Sequence, residues 1–374
     1  MIFEKVFVIL ICFPYLKLFG IGMRTDIQIY GFLMGVIVLI INFKKLKFGN
    51  NCKNDCIHLF ICVLILFVVN KKMDLRGIFC YVSLIIIFLV GNGLTLTKQK
   101  ILKLLKINYF IWSFVGCIQY FDNSLLLFWR DKFIIKGGRG SISLATEPAY
   151  FSIQLILLTL IILKLERKSK KYSLITLFIS LIISKSAVGL LYSFILVLII
   201  YKNKIKRNKI KYSLLLILFL GGLSIFIYFN QDSRIVKLMS KVIDNPIALI
   251  RNDGSLGIRI AHFYLGILGS IENYLLPNGT INFGEYYFYK VKEYFYIFYW
   301  SKYIKKSIIN KNVSMLSGFI YELGVFSILI FRVLCRNLKY KEVSFYIILV
   351  MGLNGLNLTN PLFPFLLAIY GRRK

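Results

Sequence analysis

Acidic residues are scarce in this chain. Asp and Glu together number 16 against 48 Lys and Arg, which gives a formal net charge of +32 over 374 residues. The sequence also contains no phosphate-cradling P-loop, no zinc-protease helix and no dinucleotide fingerprint, so ATP-driven, metalloprotease and redox chemistry have no support. We therefore predict that the protein uses no cofactor and no metal ion.

Cysteine and histidine are few as well. The seven cysteines do not show the spacing of a disulfide framework. Cys52 and Cys56 lie near His58, but two thiols and one imidazole leave a tetrahedral zinc site without a fourth ligand. Ordinary loop cysteines are the favoured interpretation.

The excess of positive charge is distributed in a way that argues against nucleic-acid binding. A phosphate-binding protein gathers Lys and Arg on one surface. Here they occur in short bursts between apolar runs, for example at residues 44–47, 167–171 and 202–211. Such bursts are typical of the short cytoplasmic loops that fix the orientation of a membrane protein, so we expect no nucleic-acid partner.

Apolar residues are abundant: 58% of the chain is hydrophobic and the mean hydropathy is +0.73. Many runs approach the length that crosses a bilayer. We predict an all-α, polytopic transmembrane protein that forms a single integral membrane domain over residues 1–374 and contains about twelve helices. The last is short enough to be a re-entrant segment. The predicted helices lie near residues 6–22, 27–43, 57–70, 77–93, 105–121, 147–163, 172–184, 187–201, 212–229, 314–331, 343–357 and 361–370.

The basic bursts predict an orientation with both termini in the cytoplasm. This choice puts the strongest bursts on the cytoplasmic face, although Lys71, Lys72 and Arg76 fall outside. Two long segments, residues 122–146 and 230–313, then face outward, and loops of this length are usually functional. The aromatic residues within 286–300 suit an interfacial belt or a platform for stacking sugars.

The first outer segment ends in a polar cluster at the start of a predicted helix. Thr146 is placed to cap that helix, Glu147 lies where its charge favours the helix dipole, and Pro148 fits the first turn. This is a complete structural account. The functional alternative is that Glu147 orients or deprotonates a hydroxyl at the membrane surface while Arg139 binds an anion.

The second outer segment supplies two arginines and a histidine. Arg251 and Arg259 are candidates for binding a pyrophosphate, since a guanidinium can bind phosphate oxygens in a bidentate manner. On a helix, Arg259, His262 and Phe263 share one face. His262 is a candidate general acid or base, although a lone histidine is more often a packing residue.

Two further candidates lie in or between predicted helices. Glu322 interrupts an apolar helix about two turns, roughly 12 Å, from its outer end, and ionisable groups at such depth are usually functional. A structural ion pair is the alternative. Lys185 lies in a tight outward turn at residues 184–189, where it can add positive charge, although close packing of small residues explains the turn equally well.

Together these features resemble the bacterial polysaccharide polymerases of the Wzy type, within the O-antigen ligase and polymerase superfamily. The resemblance covers most of the chain. It depends on the helix number, the large late outer loop, the Thr-Glu-Pro-Ala sequence at 146–149, the turn at 184–189, the Arg259 region, and Glu322 followed by Gly324.

The resemblance implies a metal-independent glycosyltransferase of GT-C-like architecture in the cytoplasmic membrane. Its substrate is an oligosaccharide repeat unit on undecaprenyl pyrophosphate, and its partners are the lipid bilayer, a chain-length regulator and a flippase. Arg139, Arg251, Arg259 and Lys185 are then expected to bind the pyrophosphate, with Glu147, His262 and Glu322 as catalytic candidates. The product is a surface polysaccharide, either O-antigen or capsule.

Three other functions share parts of this pattern. A ligase that transfers glycan to the lipid A core has a similar layout, but the spacing of Arg259 and His262 fits its histidine motif poorly. A flippase or other transporter is expected to carry charges within many helices around a central cavity. A structural scaffold needs neither Glu322 nor clustered outer arginines.

Overall fold

The computed structural model describes residues 2–15, 29–46, 48–70, 74–122, 140–208, 250–251, 254–299, 312–338, 343–356, 358 and 360–372. These residues form helices, turns and loops, with no strand among them, which confirms the predicted all-α class. The helices are α1 (Ile2–Ile11), α2 (Ile29–Asn42), α3 (Asn50–Val69), α4 (Leu75–Gly93), α5 (Lys98–Phe121), α6 (Pro148–Leu165), α7 (Lys171–Phe178), α8 (Ala187–Arg207), α9 (Gly254–Glu272), α10 (Phe283–Glu293), α11 (Met315–Leu323), α12 (Ser327–Leu338), α13 (Val343–Asn354) and α14 (Leu362–Gly371).

Four helical stretches are long and apolar enough to cross a membrane: Asn51–Val69, Lys98–Phe121, Pro148–Leu165 and Met315–Leu338. Six shorter apolar helices accompany them. The expected total of about twelve spans is therefore not confirmed by the described residues. The predicted helix at 212–229 lies outside them.

The first helix is shorter than predicted. A helix over 6–22 is wrong for residues 12–15, because α1 ends at Ile11 and turns follow. Pro14 explains the end, since proline lacks an N–H group and its ring clashes with the preceding turn. The carbonyl of Cys12 instead accepts hydrogen bonds from Trp112 Nε1 and Gln154 Nε2, both at 2.9 Å.

The predicted helix at 314–331 is interrupted in its middle. A single 3₁₀ turn, Gly324–Phe326, separates α11 from α12. Gly324 has φ +55°, and a Cβ there would lie 2.1 Å from the Leu275 carbonyl oxygen. The Val325 N–H donates to that same oxygen at 2.8 Å. The two backbone segments therefore approach so closely that only glycine fits at position 324.

Helix α6 lies at the centre of the bundle. Its side chains are buried on every face from Phe151 to Ile162, and it packs against α5, α8 and α14. A second, smaller core forms between α9, α10 and α11. Its buried members are Ala261, Leu265, Phe283, Tyr287, Val291, Phe298 and Tyr321.

One end of the bundle, called here the Asp55 end, is held by polar contacts between helix termini. The Arg336 guanidinium contacts the Asp55 carboxylate, and Asn337 Nδ2 donates to it at 2.9 Å. Lys106 pairs with Glu166 at 2.7 Å. The buried Glu4 carboxylate accepts from the backbone N–H groups of residues 95 and 96, both at 3.1 Å.

The opposite end, called here the Arg259 end, lies about 27 Å away along the eighteen residues of α6. It contains residues 140–147, the turn at 184–189, and helices α9 and α10. Thr280 joins this end to the start of α4, since its N–H donates to Asn70 Oδ1 at 3.0 Å and its hydroxyl donates to Asp74. The predicted candidate residues that the structure describes lie at this end.

Candidate active site

Glu147 and Arg259 meet in the structure although they belong to different outer segments. A nitrogen of the Arg259 guanidinium lies 3.8 Å from Glu147 Oε2. The Arg259 side chain is 9% exposed, whereas the Glu147 side chain is 44% exposed. The pair therefore has a buried cation and a carboxylate that solvent can reach.

The Glu147 carboxylate does not cap helix α6, although Glu147 stands at the N-cap position. Glu147, and not Thr146, is the N-cap residue of α6, and its side chain makes no capping hydrogen bond. The expectation that Thr146 caps the helix is therefore wrong, and the buried Thr146 hydroxyl has no hydrogen-bond partner among the described residues. Pro148 occupies the first turn as expected. The cap geometry leaves the Glu147 carboxylate to face Arg259.

Glu147 and Arg259 are too far apart for a hydrogen bond between them, so they form an ion pair only. Tyr192 of α8 is also buried, at 2% exposure, and a Cβ at Gly355 would lie 3.8 Å from its hydroxyl oxygen. That hydroxyl has no hydrogen-bond partner among the described residues.

The turn at 184–189 packs directly against the segment that carries Glu147. Ser141 N–H donates to the Ile183 carbonyl at 2.9 Å, and a Cβ on Gly140 would lie 2.4 Å from the Ser184 backbone. Lys185 adopts φ +44°, a left-handed conformation that is unfavourable for a lysine. Its ammonium lies 5.7 Å from the Tyr120 ring centre. The packing interpretation of this turn is supported.

His262 lies in the smaller core and not beside Glu147. Its Nδ1 accepts from the Val313 N–H at 3.1 Å, and its ring lies 4.2 Å from that of Tyr287. Burial lowers the pKa of the imidazole to about 3, so the ring is neutral near pH 7. This geometry describes a packing residue with a satisfied nitrogen, and it favours Glu147 as the base.

Glu322 is buried at 4% exposure, and its Oε2 accepts from the Tyr81 hydroxyl at 2.6 Å. Residues 278–280 lie beside its backbone, because the Gly279 N–H donates to the Glu322 carbonyl at 3.1 Å. The Glu322 side chain joins α11 to α4 through Tyr81.

The remaining two arginine candidates contribute less to the site. Arg251 is exposed, and its guanidinium lies 5.8 Å from the centre of the Tyr299 ring. Arg139 lies outside the described residues. Several aromatic side chains of the 286–300 stretch are exposed, including Tyr289 at 60% and Tyr296 at 64%. Both the interfacial and the sugar-stacking interpretations fit this exposure.

The cluster holds no set of metal ligands. No group of three or more His, Cys, Asp or Glu side chains within the described ranges is arranged for a metal ion. A carboxylate beside a buried guanidinium suits acid–base chemistry on a substrate that carries an anion. Sequence reasoning found Glu147 and Arg259 separately, but it did not show that their side chains meet.

Comparison with known protein families, with curated proteins and with solved structures finds no match to this chain.

Proposed function

We propose that the protein is a polysaccharide polymerase that joins oligosaccharide repeat units carried on undecaprenyl pyrophosphate. The observation that carries the proposal is the approach of Glu147 and Arg259 to 3.8 Å at one end of a helical bundle. A polymerase of this kind needs a base for the attacking hydroxyl and a cation for the departing pyrophosphate. This pair provides one of each.

The proposed orientation puts the Asp55 end in the cytoplasm of a bacterial cell and the Arg259 end outside. Lys106 and Arg336 belong to basic bursts and lie at the Asp55 end. An excess of Lys and Arg in short loops is typical of the cytoplasmic side. In this orientation both chain termini are cytoplasmic, and the proposed site faces the lipid-linked substrates on the outer surface of the cytoplasmic membrane.

In the proposed reaction, a hydroxyl of the incoming repeat unit attacks the anomeric carbon of the growing chain. The new carbon–oxygen bond forms as the bond from that carbon to the pyrophosphate oxygen breaks. The hydroxyl proton passes to the Glu147 carboxylate, and undecaprenyl pyrophosphate leaves as an anion. Arg259 stabilises the negative charge that develops on the leaving oxygen, and its burial strengthens this effect.

The test is replacement of Arg259 by alanine in the organism that carries the gene, followed by a gel of its surface polysaccharide. We expect single-repeat glycan in place of the long-chain ladder, with the protein still present in the membrane. Arg259→Lys keeps the charge but loses the planar fork, so we expect a shorter ladder.

Arg167→Ala is the matched control, since Arg167 is exposed at the Asp55 end and the substitution removes the same charge. It should leave the ladder intact. An unchanged ladder in Arg259→Ala would exclude the proposed site. Loss of all surface glycan, including single-repeat forms, would indicate a flippase instead.

A further inference from the structure

An open groove runs along helix α5 at the Asp55 end of the bundle. It has a volume of about 470 Å³ and is lined by Gln99, Leu102, Lys103, Lys106, Ile107 and Phe110. These positions recur at steps of three and four residues, so they lie on one face of the helix. The two lysines lie nearer the start of α5 than Ile107 and Phe110 do. The groove therefore has a cationic part and an apolar part.

The two parts of the groove lie at different depths of a helix that suits a membrane. The stretch Lys98–Phe121 is long and apolar enough to cross a bilayer, and it carries no charged residue after Lys106. Side chains of a helix lean toward its N-terminus, and lysines extend their ammonium groups toward water. The ammonium groups of Lys103 and Lys106 therefore lie at the level of lipid headgroups, whereas Ile107 and Phe110 lie at the level of acyl chains.

The apolar part continues along the same face beyond the groove. Ile107, Phe110 and Phe114 are large exposed apolar side chains, and the rings of the two phenylalanines stack with their centres 5.7 Å apart. From Lys103 to Phe114 the helix rises about 16 Å, close to the roughly 15 Å of hydrocarbon in one leaflet. The length of this face therefore matches one acyl chain below its headgroup.

The cationic part has more positive than negative charge. Lys106 Nζ pairs with Glu166 Oε2 at 2.7 Å, whereas Lys103 is exposed. The groove and its ion-pair partner thus supply two cations and one anion, and Gln99 adds an amide donor. Basic pockets beside transmembrane helices bind the headgroups of acidic lipids in this way.

We propose that this groove binds an anionic phospholipid. Its phosphate lies against Lys103 and Lys106, and one acyl chain follows Ile107, Phe110 and Phe114. A zwitterionic lipid binds less tightly, because its own cationic group weakens the attraction to the two lysines. The inference does not depend on the proposed polymerase. It requires only that α5 spans a membrane.

The test is native mass spectrometry of the full chain in detergent with phosphatidylglycerol or phosphatidylcholine added. We expect phosphatidylglycerol to bind more tightly. Lys103→Ala should weaken its binding about fivefold, which is the effect of one basic side chain near an acidic lipid, and Lys103→Glu should weaken it roughly 25-fold. Binding of phosphatidylcholine should hardly change.

Lys53→Ala is the matched control for the charge. Lys53 is an exposed lysine near the start of α3, at the same end of the bundle, and it lines no part of the groove. Its substitution should leave phosphatidylglycerol binding unchanged. Equal losses in Lys53→Ala and Lys103→Ala would overturn the inference, because the attraction would then come from the overall positive charge. Equal binding of the two lipids by the unsubstituted protein, or no binding of phosphatidylglycerol, would also contradict it.

A second pair of variants tests the apolar part. Phe110→Ala should weaken phosphatidylglycerol binding several-fold, whereas Phe67→Ala, the same change at an exposed position of α3, should not. Both side chains are exposed, so the thermal midpoints should stay level. Unchanged binding in Phe110→Ala would exclude the proposed path of the acyl chain. Inorganic phosphate should not displace the lipid, and equal competition would identify a site for free phosphate instead.

Discussion

The two ends of the bundle differ in how their charged side chains are paired and exposed. At the Asp55 end, the Asp55 carboxylate is in contact with Arg336 and Asn337, and the buried Glu4 carboxylate accepts two backbone N–H groups. At the Arg259 end, a buried guanidinium faces its carboxylate at 3.8 Å, beyond hydrogen-bond distance. The side chain of Asp55 is 1% exposed and that of Glu147 is 44% exposed, so solvent reaches only the second carboxylate. The difference distinguishes the structural end from the candidate active site.

The largest effect is expected when the carboxylate at the Arg259 end is replaced. Glu147→Gln keeps the size of the side chain and removes its basicity, so polymerisation should fall by about 10²–10⁴-fold. The rate can be followed with purified protein and a lipid-linked repeat unit. Glu285→Gln, the same change at another exposed glutamate of this end, should leave the rate within about twofold. Equal rates in both variants would remove Glu147 from the chemistry.

The same arginine substitution should have different effects on stability at the two ends. Arg336→Ala leaves the Asp55 carboxylate, which is 1% exposed, without its cation, and we expect a loss of about 3–5 kcal/mol. Arg259→Ala leaves Glu147 at 44% exposure, where water replaces the partner, so stability should hardly change. Thermal unfolding in detergent measures both.

Adding Asp55→Asn to Arg336→Ala is the control, because it removes the unpaired buried charge and should recover part of the loss. If Arg259→Ala instead proved as destabilising as Arg336→Ala, the contrast between the two ends would not hold.

The pH dependence of stability should reveal the buried imidazole of the smaller core. Burial lowers the folded-state pKa of His262 to about 3, so between that value and its usual pKa of 6.5 the unfolded chain binds the extra proton. Stability is therefore complete above pH 6.5 and declines as the pH falls, by roughly 3 kcal/mol at pH 4.

His262→Asn offers an amide oxygen to the Val313 N–H that His262 Nδ1 now accepts. We expect thermal midpoints of this variant to vary less between pH 6.5 and 4 than those of the unsubstituted protein. Parallel curves would show that the imidazole titrates normally.

The smallest effect is expected for the exposed ion pair at the Asp55 end. Lys106 and Glu166 lie 2.7 Å apart, but their side chains are 34% and 38% exposed. Solvent screens such pairs, so Lys106→Ala should shift the thermal midpoint by less than about 2 °C. The bond to Lys106 lowers the pKa of Glu166, so even this small contribution should disappear as the pH falls through that lowered value. A large shift would show that exposed pairs also stabilise this end.

The sequence allowed the helical class and most helix positions to be predicted, because apolar runs between basic bursts are a strong local signal. Two helices were misjudged where local sequence competes with hydropathy. Pro14 ends α1 within an apolar run, and Gly324 interrupts another where Leu275 approaches. The first break has a cause visible in the sequence, whereas the second depends on a contact about fifty residues away.

The candidate site could be predicted in part for the same reason. Glu147 and Arg259 are conspicuous as charged residues near apolar helices, but their meeting depends on how the outer segment folds back. His262 appeared as a candidate because histidine is chemically versatile, and its burial beside Tyr287 becomes visible only in three dimensions.

The early end of α1 has a consequence for the biogenesis of the protein. Ten residues rise only about 15 Å, half the thickness of a bilayer's hydrocarbon core, so α1 alone is too short to cross one. The donors to its Cys12 carbonyl, Trp112 and Gln154, follow 100 and 142 residues later in the chain. The hydrogen bonds of the Cys12 carbonyl therefore form only after α5 and α6 have been synthesised.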